Sequence, residues 1–124
     1  MAHPRSIPTP DRAAVLTKAV LRAADRLGLS QQELAKVLGV SAASASRLRS
    51  ARYVAADGKE GELALLFVRA FRSLDALIGS DEAAARRWFA ARCDPLGGVP
   101  RELVTTVTGL CAVVDYLDAM RGRA

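Results

Sequence analysis

Apolar positions recur along this chain at the three- and four-residue spacing of helices, with no convincing alternation of the strand kind. Leu16, Val20, Ala23, Ala24 and Leu27 form one stripe, which predicts a helix over 12–27 with Asp11 as its N-cap and Gly28 as its stop. Leu34, Ala35 and Leu38, then Ala45 and Leu48, predict two short helices over 31–38 and 42–51. Ser30 and Glu33 stand at capping-box spacing, and Ser41 is placed to cap the second helix. Ala35 is small where two helices must nearly touch, and Gly39 admits the left-handed backbone of a sharp turn. Cap, small residue, glycine and second cap in one register read as a helix-turn-helix.

The second half continues in helical period. Leu63, Leu66, Phe67, Ala70, Phe71, Leu74, Leu77 and Ile78 predict the longest helix, over 60–78. A linker over 53–61 precedes it, marked by the Asp57-Gly58 turn and by Gly61, which breaks the periodicity. Gly79 closes the long helix, and Ser80 or Asp81 caps the next, over 82–92, anchored by Trp88 and Phe89. Residues 94–100 read as a rigid loop, and Pro100 opens a short helix over 100–105. Leu110, Val113, Val114, Leu117 and Met120 place the last helix over 107–121. Glycine inside a helix costs about 1 kcal/mol relative to alanine, so Gly109 near that helix's start implies close packing against a neighbour. The fold class is all-α. Its expected organisation is a disordered arm over 1–10, a helix-turn-helix domain over 11–56 and a small helical domain over 57–124.

Charge sharpens the reading of the first half. The 124 residues are 51% hydrophobic, enough for a core, and carry a net charge of +5. Residues 1–55 hold nine basic residues against three acids, a charge of +6, whereas 56–124 hold nine against ten, a charge of −1. Basic charge thus coincides with the helix-turn-helix, as a phosphate-binding surface requires. In the usual docking the start of the second helix faces base edges. Those positions are Ser41, Ala42, Ala43, Ser44 and Ser46, none able to make a bidentate contact to guanine or adenine. Arg47 is the best candidate for a base or phosphate contact, with Gln31, Gln32, Lys36, Arg49 and Arg52 as phosphate contacts. Such weak readout per monomer implies a homodimer on two-fold-related operator DNA. The alternative is a helix-turn-helix kept as scaffold after losing DNA binding.

Catalytic and metal chemistry find little to work with. His3 is the lone histidine and lies in the arm, and the acids sit at helix starts or on exposed faces. Cys93 and Cys111 form no CxxC pair, so they read as buried free thiols of a reducing compartment rather than zinc ligands. Gly97-Gly98 lacks the GxxxxGK[ST] pattern of a phosphate-cradling loop. The expectation is a non-enzymatic protein without a cofactor. With no signal peptide and no apolar run near the ~20 residues of a membrane span, the expected location is the cytoplasm.

The second half also carries a resemblance. Phe71, Leu74, Leu77 and Gly79, then Trp88, then Pro95-Leu96-Gly97-Gly98-Val99-Pro100, then Glu102-Leu103, Thr106, Gly109, Val113, Tyr116-Leu117 and Arg121-Gly122 follow one another as in the toxin-binding domain of the Xre/MbcA/ParS antitoxin family. The upstream half is similar to the Xre-type helix-turn-helix of such proteins. One departure is Cys93-Asp94, where family members often carry Asn before the Pro-Leu-Gly loop. The resemblance implies an antitoxin that neutralises a RES-domain, NAD-degrading toxin by blocking its nucleotide pocket with the C-terminal segment. Carried over, that segment is Tyr116, Met120, Arg121, Gly122 and Arg123. Two rivals stay open: a plain transcriptional regulator whose second half only dimerises, and a ParS-like stress protein whose second half binds another partner.

Overall fold

The computed structural model describes the backbone of residues 9–123 and the side chains of 12–122. Its elements are α1 (Thr9–Leu27), α2 (Gln31–Leu38), α3 (Ala42–Arg47), α4 (Lys59–Leu77), α5 (Glu82–Ala90), a 3₁₀ turn (Asp94–Leu96), α6 (Pro100–Leu103) and α7 (Val107–Arg123). The only extended pairing among the described residues is one bridge between Cys93 and Gly98, which closes the Pro95-Leu96-Gly97 turn. The fold is all-α: a helix-turn-helix followed by a helical C-terminal part. Most of the expected arm lies outside the described residues.

The local signals around the turn act as expected. The Glu33 amide donates to Ser30 Oγ at 3.1 Å, and the Ser30 amide donates to Glu33 Oε1 at 2.8 Å, closing the capping box. Gly39 sits at φ 70°, where a β-carbon is disfavoured, and the Val40 amide reaches back to the Ala35 carbonyl at 3.0 Å. Ser41 Oγ accepts from the Ser44 amide at 3.1 Å and starts α3. Ala45 and Leu48 are buried against the α2 face that carries Leu34 and Leu38.

Several expected boundaries are corrected, among them α6, which ends at Leu103 rather than 105, and α7, which runs to Arg123 rather than 121. α1 begins at Thr9, so Asp11 lies within its first turn rather than capping it. α3 ends at Arg47, not at 51: the Leu48 and Arg49 amides bond three residues back, and the Arg47 carbonyl takes the amides of Ser50, Ala51 and Arg52. α4 includes Gly61, which is buried beneath the linker instead of ending it. A β-carbon there would stand 2.2 Å from the Ala56 carbonyl oxygen, so the glycine is required by a close backbone approach. α5 stops at Ala90, two residues early. Gly109 obeys the same logic as Gly61, its missing β-carbon falling 2.0 Å from the Leu103 carbonyl oxygen.

One continuous core joins both halves. Leu16, Val20 and Leu27 of α1, Leu34 and Leu38 of α2, and Phe67, Phe71 and Leu74 of α4 belong to the same cluster as Phe89, Leu110, Val113 and Leu117. α4 is the shared axis, packed on α1 and α2 on one side and on α7 along the other. The linker is pinned to α1: the Val54 amide donates to the buried Thr17 Oγ1 at 2.8 Å. Trp88 is only half-buried and stacks on Tyr116, with ring centroids 6.3 Å apart, whereas Phe89 is the buried anchor of α5.

Candidate functional site

The face that α3 would present to a groove is small and unobstructed. Ser41, Ala42, Ala43, Ser46 and Arg47 are exposed, and Ser44 is half-buried. Arg47 donates to Ser44 Oγ at 3.3 Å, one weak contact that leaves most of its five donors for a ligand. Gln32 and Lys36 are exposed on α2, and Gln31 is half-buried at its start.

Two expected phosphate contacts stand differently. Arg52 is turned inward: its guanidinium donates to the Ser44 carbonyl at 3.0 Å and the Tyr53 carbonyl at 3.0 Å, and it forks onto the Glu60 carboxylate. It fastens the end of the helix-turn-helix to the start of α4 and is not presented to DNA. Burial pushes the Glu60 carboxyl up, but hydrogen bonds from Arg52 and the Ala55 amide outweigh this and leave it below the ordinary carboxylate value. Arg49 remains exposed but forks onto Asp25 at 2.7 and 3.3 Å, so its charge is already partly compensated. Sequence spacing could show neither pairing, because the partners lie 8 and 24 residues away.

At the other candidate site, α7 runs without a break to Arg123. Tyr116 is half-buried against Trp88, more than a turn before the helix end, and Met120 is half-buried. Arg121 and Gly122 are exposed, and nothing lies within 4 Å of where a Gly122 β-carbon would be. Arg121 donates to Ser73 Oγ on α4 at 3.3 Å. The Arg123 side chain lies outside the described ones.

Two family models match the chain in tandem. The antitoxin Xre-like helix-turn-helix domain covers residues 6–69, and the antitoxin Xre/MbcA/ParS C-terminal toxin-binding domain covers residues 73–123. The chain belongs to the Xre-family antitoxins. Among curated proteins no relative matches it. The two matches place a DNA-binding type of module and a toxin-binding module on one antitoxin, and they meet inside α4.

What joins the two modules of the antitoxin escaped the sequence reading. Arg101 on α6 crosses to the helix-turn-helix, donating to Glu33 Oε2 at 2.6 Å, Glu33 Oε1 at 2.8 Å and the Gly28 carbonyl at 2.6 Å. Arg86 on α5 donates to the Asp25 carbonyl at 2.7 Å and the Arg26 carbonyl at 3.0 Å, satisfying the open end of α1. Sequence spacing shows neither contact, since the acceptors are 60 or more residues away.

The Arg101 fork has a consequence for acid stability. Its hydrogen bonds hold the Glu33 carboxyl down to about 2, against an ordinary value of 4.5. A carboxylate depressed by folding stabilises above its unfolded value and loses that contribution as pH falls through the folded one. Glu33→Gln should therefore cost about 1–2 kcal/mol near neutrality, allowing for the pair's partial exposure. The difference from wild type should shrink as pH drops from about 4.5 towards about 2. Urea titrations of both proteins across that range check this, and a gap independent of pH would contradict it.

Proposed function

We propose that this antitoxin neutralises a RES-domain, NAD-degrading toxin in the cytoplasm by placing the end of α7 in the toxin's nucleotide pocket. Tyr116, Met120, Arg121, Gly122 and Arg123 form the inhibitory segment, with Arg121 and Arg123 meeting polar or acidic groups there. It acts stoichiometrically. The observation that carries the reading is the toxin-binding match, which extends over the exposed end of α7 as far as residue 123. The exposed Gly122 fits such a role, since it offers bare backbone to a narrow cavity.

In the same reading the antitoxin represses its own operon as a homodimer, with Arg47 as its chief contact from α3. Direct readout by alanines and serines is weak, so two half-sites share the work. Lys36, Gln31 and Gln32 position the module on phosphates. Arg49 contributes only if its pair with Asp25 opens, and Arg52 serves the fold.

A reciprocal experiment tests both surfaces. Deleting residues 120–124 should abolish growth rescue when the antitoxin is co-expressed with the protein of the adjacent gene, while operator binding in a gel-shift assay stays unchanged. Arg47→Ala should do the reverse, weakening operator binding about tenfold at matched salt, the scale of one contact to a charged group, with full rescue. A plain regulator would keep all its function without 120–124, and that outcome would overturn the inhibitory role of the α7 end. NAD consumption by the purified neighbour, titrated to zero by one equivalent of antitoxin per site, would establish the toxin class.

A further inference from the structure

The end of α7 is braced by a polar chain that runs across from α4. Ser73 is fully buried, and its hydroxyl does two things at once: it donates to Asp118 Oδ1 at 3.0 Å and accepts from Arg121 at 3.3 Å. Asp118 Oδ2 takes the Arg69 guanidinium. Asp118 and Arg121 stand three apart on one helix, a spacing at which opposite charges normally pair. Here they make no ion pair among the described residues; each carboxylate oxygen takes a bond from α4 instead.

The effect on Arg121 is specific. A direct pair with Asp118 would fold the guanidinium back along α7 and cancel its charge. Among the described residues its one hydrogen bond is to a neutral hydroxyl, which fixes its direction and leaves most of its donors uncommitted there. We infer that Ser73, Asp118 and Arg69 are positioning residues for toxin binding, holding the exposed Arg121 against α4 in one orientation, without an ion pair among the described residues, for an anionic or carbonyl-rich site on the toxin. This rests on the proposed reading of the end of α7 as the toxin contact. Asp118 acts through Ser73: by accepting its only hydrogen it turns the serine lone pairs towards Arg121.

Calorimetric titration of full-length variants into the adjacent gene's protein tests the inference through a double-mutant cycle. Ser73→Ala should weaken binding about tenfold, the scale of one hydrogen bond to a charged group, and should have no further effect in an Arg121→Ala background. Asp118→Ala should behave like Ser73→Ala, whereas Asp118→Asn, which still accepts from Ser73, should bind within about twofold of wild type. Should Ser73→Ala, a change at a buried site, fail to fold, the two Asp118 variants carry the same test from a partly exposed position. Equal weakening by Ser73→Ala or Asp118→Ala with and without Arg121 would overturn the inference, as would no weakening by either. If Arg121→Ala alone binds as well as wild type, the failure lies in the reading of the α7 end itself.

Discussion

Phe67→Ala should lower the melting temperature by about 10–20 °C in a single cooperative step. Phe67 is 1% exposed and sits where the two halves meet. With Leu27, Phe89, Val104, Val113 and Leu117 it lines one small gap between α1, α4, α5 and α7. Removing a fully buried aromatic ring costs about 3–5 kcal/mol, from lost burial and from the cavity left behind. That is a large part of the stability of an ordinary domain. The continuous core makes the second half of the expectation: operator binding and toxin binding should fail together on heating. Calorimetry checks both points. Two separate transitions, one unaffected by the mutation, would show that the helix-turn-helix and toxin-binding parts melt independently and would contradict the single core.

Gly61→Ala should be nearly as damaging despite adding one carbon. The new β-carbon would fall 2.2 Å from the Ala56 carbonyl oxygen and 2.7 Å from that of Ala55. Both obstructions are backbone, so no rotamer change relieves them. Overpacking of this kind costs about 1–3 kcal/mol or more, which outweighs the gain in helix propensity. The linker must lift away from α4, and with it go the Ala55 amide bond to Glu60 and the Arg52 fork beside it. Gly58→Ser is the control: nothing lies within 4 Å of its β-carbon, and serine is a good N-cap, so stability should hold or rise slightly. Urea denaturation of the three proteins decides it, and a Gly61→Ala midpoint equal to wild type would show that the linker yields freely.

Gly61 also shows where sequence reading reaches its limit. A glycine within a periodic stripe is a helix breaker by propensity, and only a carbonyl folded over it from the preceding linker reverses that meaning. Gly109 is legible because it lies inside the predicted last helix, near its start, where a glycine's cost in propensity points to close packing. The helix-turn-helix was legible for a different reason. Its caps, its small residue and its turn glycine are all local signals, satisfied within a few residues. The end of α3 was not, since the turn after Arg47 is shaped by Arg52 reaching back to Ser44 and across to Glu60. Charged side chains were the least readable of all. Arg52, Arg86 and Arg101 carry the same character in sequence as Arg47, yet three of them fasten the fold and one faces outward. The residues at the end of α7 are singled out by resemblance alone, because an arginine and a glycine at a helix end are ordinary features.

The seam between the two matched modules falls at 70–72, in the middle of α4. Recombination that joins a different toxin-binding module to this helix-turn-helix must therefore splice within a continuous helix, and its parents must agree in rotational phase. One residue inserted after position 72 would swing Leu74 and the rest of α4 about 100° around the helix axis relative to Phe67, out of register with the shared core.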